Sequence, residues 1–109
     1  MARDAGLEEL LGDRLGDLPG LTGKAMFGGW AWLLDGHLLC AARDTGVLVR
    51  LGKGRDRWAL EIDGIAPMVM RGRALGGWVR IAPETFADDA LAERLVDAAI
   101  AFVQALPPK

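Results

Sequence analysis

His37 and Cys40 are the only histidine and the only cysteine of the 109-residue chain, so any histidine-assisted nucleophile must be assembled from them. Three residues apart in an extended segment they point to opposite faces, which argues against a local Cys–His dyad. His37 reads as a surface histidine beside a turn, and Cys40, between Leu39 and Ala41, as a small buried hydrophobe. The carboxylates Glu61 and Asp63, and Asp88 and Asp89, stand where turns and a helix start explain them by capping and solvation. No ligand motif links the scattered acids, and one thiol cannot build a zinc site, so neither a metal nor a cofactor is expected. The chain is expected not to be an enzyme.

Two adjacent glycines, Gly28 and Gly29, sit in "KAMFGGWAWLLDG" (24–36), beside Trp30 and Trp32. A phosphate-binding loop needs its glycines between a strand and a helix at fingerprint spacing, and "MFGGWAW" offers neither. Glycines within a strand mark a bulge or a close backbone approach, and a bend that re-aims the strand is the expectation here.

A basic and aromatic set is the richer candidate. In "VLVRL" (47–51) Arg50 alternates with Val47, Val49 and Leu51, and in "GWVRI" (77–81) Trp78 and Arg80 share the face that Val79 and Ile81 do not. With the branched residues turned toward helices, Arg50, Trp78 and Arg80 fall on an open sheet face. Trp30 and Trp32 share a face with each other, which the glycine bulge leaves open. Trp30, Trp32, Arg50, Trp78 and Arg80 thus form a candidate interaction face. Three accounts of it stand: packing of arginine stems over tryptophan rings, a protein or homodimer contact, and base stacking with phosphate binding.

These residues must be positioned by a small set of elements. Leu7, Leu10, Leu11, Leu15 and Leu18 repeat at helical spacing, and "LPGLTG" (18–23) ends that helix. Residues 24–34 read as one strand, Asp35–Gly36 as a two-residue hairpin turn, and "HLLCAAR" (37–43) and 47–51 as two more strands of a meander. A short helix is expected over 55–62, strands over 66–71 and 76–82, and a C-terminal helix opening at Asp88 and Asp89 and ending at Pro107 and Pro108. The order helix, three strands, short helix, two strands, helix implies an α+β domain in two layers, with helices over one face of an antiparallel sheet.

The chain is long enough for one domain with its own core. The single cysteine excludes an internal disulfide and suits a reducing compartment. "ARDAGLEELLGD" (2–13) lacks the pattern of a secretion signal, and no apolar run approaches a membrane span, so a cytoplasmic protein without membrane contact is expected. The net charge of −2 is unevenly spread. Residues 43–80 carry Arg43, Arg50, Lys53, Arg55, Arg57, Arg71, Arg73 and Arg80 against Asp44, Asp56, Glu61 and Asp63, and both ends are acidic. The weak overall charge disfavours nucleic acid relative to a protein partner or homodimer.

"KAMFGGWAWLLDG", "GVLVRL" (46–51), "GWVRIAPE" (77–84) and a helix of the "LAERLVDAAIAF" (91–102) kind together resemble the N-terminal domain of the TfoX/Sxy competence-regulator family over about residues 20–106. The resemblance implies the α+β order read above and brings no catalytic residues. It implies a regulatory role, since full-length members are linked to transcriptional activation of DNA-uptake genes with the cyclic-AMP receptor protein. Those members also carry a C-terminal helical domain. This chain ends at "ALPPK" and is expected to be a stand-alone N-terminal domain, spanning 1–109.

Overall fold

The computed structural model describes residues 4–26 and 28–107. Phe27 and Pro108, both within segments read above, lie outside the described residues. Helix α1 (Ala5–Leu15) starts at Asp4, whose carboxylate accepts from the Leu7 amide at 3.1 Å. It buries Leu7, Leu11 and Leu15, with Leu10 and Leu18 packed alongside. The sheet follows: β1 (Leu21–Met26), β2 (Gly29–Leu34), β3 (His37–Arg43) and β4 (Gly46–Arg50). A one-turn helix α2 (Arg57–Leu60) leads to β5 (Ile65–Met70) and β6 (Arg73–Ile81). The chain closes with a one-turn helix α3 (Pro83–Phe86) and the long α4 (Asp89–Gln104).

All six strands pair antiparallel in the order β1-β2-β3-β4-β6-β5. The α+β, two-layer architecture is the expected one, with a difference at its start. Residues 24–34 are not one bent strand: Met26 pairs with Gly29, so a tight turn separates β1 from β2 and the meander has four strands. Gly28 takes φ +71° in that turn, a conformation glycine adopts without a Cβ penalty. Gly29 serves a different purpose, being buried where the Ala42 carbonyl of β3 crosses so closely that a Cβ would have no room. The turn hides in an apolar stretch that has no polar turn residues. Asp35 (φ +52°) and Gly36 (φ +85°) close the next hairpin between Leu34 and His37, both in the left-handed region that such two-residue turns require.

The helices all lie on one side of the sheet. Between the layers the main core joins Leu11, Leu15, Phe86, Leu95, Ala99 and Val103 from helices to Leu34, Cys40, Val47, Val49, Val79 and Ile81 from strands. Pro83 does more than end β6: as the first residue of α3 it occupies the helix position that tolerates a missing N–H. Asp88 caps α4 by accepting from the Leu91 amide at 3.0 Å. The buried stripe of α4 runs through Ala92, Leu95, Val96, Ala99 and Val103, while Leu91, Ala98 and Phe102 flank it and Ala105 is exposed.

Candidate interaction face

The residues best suited to catalysis are committed elsewhere. A bulge in β3 leaves Leu39 outside the ladder, so Leu39 and Cys40 both enter the helix-side core. The extra residue reverses the alternation and puts His37 and Cys40 on the same side, contrary to simple strand parity. They still form no dyad. The His37 ring donates Nε2–H to the Pro107 carbonyl oxygen at 2.5 Å, tying the chain beyond α4 to the β2–β3 hairpin. Cys40 is fully enclosed, and burial pushes its thiol well above the usual range, which keeps it protonated and unreactive. Asp88 is a cap, and Asp89 accepts from Arg14 Nη2 at 2.6 Å on the surface. Asp63 offers its backbone carbonyl to Thr85 Oγ1. Among the described residues no three metal-ligating side chains come together.

The five residues of the candidate face divide between the two sides of the sheet. Trp32 packs into the helix-side core against α1, where a Cβ on Gly12 would stand 3.6 Å from its ring. Trp30, two residues earlier on the same side, lies across Gly23 of β1, where a Cβ would come within 2.7 Å of the indole Nε1. These two tryptophans therefore leave the open face. Arg50, Trp78 and Arg80 do share it: Arg50 pairs with Trp78 and Leu48 with Arg80 across the β4–β6 ladder.

On this uncovered side lies a second, smaller apolar cluster. Ala31, Ala41, Leu48 and Met68 are buried, and Met26, Leu38, Met70, Leu75 and Trp78 pack over them half-exposed. One register row crosses every strand, running Lys24, Ala31, Ala41, Leu48, Arg80, Ala66. The buried Ala31, Ala41 and Leu48 fill its middle, and cations stand on either side of them. Two hollows open here. One, of about 380 Å³, is lined by Lys24, Met26, Leu33, Leu38, Arg50 and Trp78. The other, of about 220 Å³, is lined by Arg43, Thr45, Leu48, Met68, Val69 and Arg80. No carboxylate lines either hollow. Arg50 starts on this face but its head group is already engaged: it donates to the Leu38 carbonyl at 3.3 Å, and its guanidinium stands 5.6 Å from the ring centroid of Phe102 on α4, within cation–π reach.

Lys24, Met26, Arg43, Met68 and Met70 belong to this face and were not legible as such. Their shared side follows from alternation only once the β1–β2 turn and the irregularity between Pro67 and Val69 are known.

The match to known families is decisive for ancestry: the model of the TfoX N-terminal domain covers residues 13–103. The chain belongs to the TfoX N-terminal domain family. Neither a curated protein nor a solved structure gives a significant match to it. In this TfoX N-terminal domain Gly28 stands in the turn between β1 and β2, Gly29 opens β2, and Trp32 packs against α1. No described helix is long and apolar enough to cross a membrane.

Proposed function

We propose that this TfoX N-terminal domain is a non-enzymatic regulatory module that works by contact with a partner protein, in transcriptional control of the kind linked to its family. The observation that carries the reading is the uncovered sheet face, where Met26, Leu38, Met70, Leu75 and Trp78 remain half-exposed among Lys24, Arg43, Arg50 and Arg80. Methionine, tryptophan and arginine are the residues enriched where proteins meet. A photo-crosslinking residue at position 78, compared with one at position 57 on exposed α2, tests it in the cells that make the protein. A discrete protein adduct from position 78 that Arg80→Glu abolishes supports the contact. Equal adducts from both positions, or none, refute it.

The rival reading is a nucleic-acid-binding accessory protein using Arg50, Arg71, Arg73 and Arg80. It draws support from Arg71 and Arg73, which project from the exposed β5–β6 turn. Phosphate contacts weaken steeply with salt. Failure to retard single- or double-stranded DNA or RNA at low salt removes this reading. Self-association through the open face is disfavoured by its own charge, and light scattering over a concentration range checks it.

A further inference from the structure

We infer that the occupant of the uncovered sheet face is an acidic amphipathic segment of a partner protein, with one carboxylate seated between Arg43 and Arg80; this rests on the protein-contact reading above. The hollow is lined by two arginines, Arg43 and Arg80, and by Thr45, beside the apolar Leu48 and Met68. Among the described residues neither arginine forms an ion pair. The Nε of Arg43 is buried and has no acceptor. A buried N–H without an acceptor is costly, and two like charges beside one cavity repel each other. A carboxylate offsets that repulsion, since it accepts two parallel bonds from a guanidinium fork.

The apolar part of the face decides what carries that carboxylate. Met26, Met70, Leu38, Leu75 and Trp78 present partly exposed apolar surface suited to the nonpolar side of a helix. Lys24 and Arg80 end four strand spacings apart on one register row, about 19 Å along the sheet. A helix covers that distance in about 13 residues, so acids three to four turns apart reach both cations. A second copy does not fit: a two-fold contact sets Lys24, Arg43, Arg50 and Arg80 against themselves, and contact with the acidic helices of another copy propagates without closing. A nucleic acid finds few flat stacking partners here, because the exposed apolar side chains are chiefly Met and Leu.

Fluorescence anisotropy with synthetic peptides tests the inference on the full chain. The probe is an 18-residue helix with a Leu stripe and a Glu face, compared with a version carrying Lys for Glu, a version carrying Gln for Leu, and duplex and single-stranded DNA. The Trp78 indole resonance reports the site. The acidic amphipathic peptide is expected to bind at least tenfold tighter than every other probe at physiological salt and to shift Trp78. Arg80→Glu should weaken it at least tenfold and Arg43→Lys several-fold, whereas Arg57→Glu, the same charge change on α2, should alter it less than twofold. Circular dichroism confirms that each variant folds. Equal binding of the Lys peptide at Trp78 overturns the acidic partner and leaves the protein-contact reading standing. DNA binding tighter than the peptide, or an indole that responds to no peptide, overturns both.

Discussion

The two glycines of "MFGG" should respond to alanine very differently, because one is needed for its backbone angle and the other for its lack of volume. At Gly28 the φ of +71° imposes the left-handed penalty, but the residue is exposed, so Gly28→Ala should cost about 1 kcal/mol. Gly29 has no such angle. Its added methyl group would press on the Ala42 carbonyl oxygen and sit 3.0 Å from both the Ala42 carbonyl carbon and Arg43 Cβ. Those atoms are backbone or at the root of a side chain, so no rotamer change relieves the contact and β2 must part from β3. Overpacking of this kind costs about 2–3 kcal/mol. For a domain of this size about 1 kcal/mol lowers the melting temperature by about 4 °C, so Gly29→Ala should fall by about 8–12 °C and Gly28→Ala by about 4 °C. Thermal and urea unfolding followed by circular dichroism measures both, with an unchanged urea m-value showing that the unfolded state is comparable. Because Arg43 is the displaced neighbour, Gly29→Ala should also weaken binding of the acidic peptide. A Gly29→Ala variant no less stable than Gly28→Ala refutes the close-approach reasoning.

Cys40 should resist a thiol reagent such as dithiobis-nitrobenzoate in the folded protein and react once urea unfolds it. Its raised pKa also has a sign: above about pH 9 the unfolded thiol releases its proton while the folded one keeps it. Stability is therefore lost as pH rises, approaching about 1.4 kcal/mol per pH unit from this group, and urea titrations from pH 8 to 10 should show that loss shrinking in Cys40→Ala. Trp32→Ala, which empties the space under α1, should cost about 3 kcal/mol, and Trp78→Ala on the uncovered face should cost less and abolish peptide binding, as unfolding and anisotropy titrations will show. His37→Ala removes the bond to Pro107 and should cost about 0.5–1 kcal/mol, with amide exchange at Leu106 accelerated and that at Leu95 unchanged.

Much of the architecture follows from local chemistry. The helix start at Asp88 is read directly from its position before an apolar helical repeat, and Asp35–Gly36 states its own turn, whereas the cap at Asp4 emerges only from the structure. The β1–β2 turn is invisible because it lies between Met26 and Gly29 with no polar turn residue, in a stretch as apolar as the strands it joins. The one-turn α3 was missed because Pro83 suits a strand end and a helix start equally. Parity failed at Leu39, where one extra residue places His37 and Cys40 on a common side.

By itself the sequence determined the element order in outline, the family, the acidic ends around a basic middle, and the absence of a disulfide. It also determined that Arg50, Trp78 and Arg80 fall on one face, since each lies in a short regular strand with alternating branched residues. Only the tertiary structure decided that Trp30 and Trp32 belong to the other side, and that Lys24, Arg43 and the methionines of β1 and β5 join the arginines. The reason is geometric. Side chains alternate with period two, so every unseen turn or bulge reverses all that follows, and the β4–β6 pairing that unites the face joins residues some thirty positions apart.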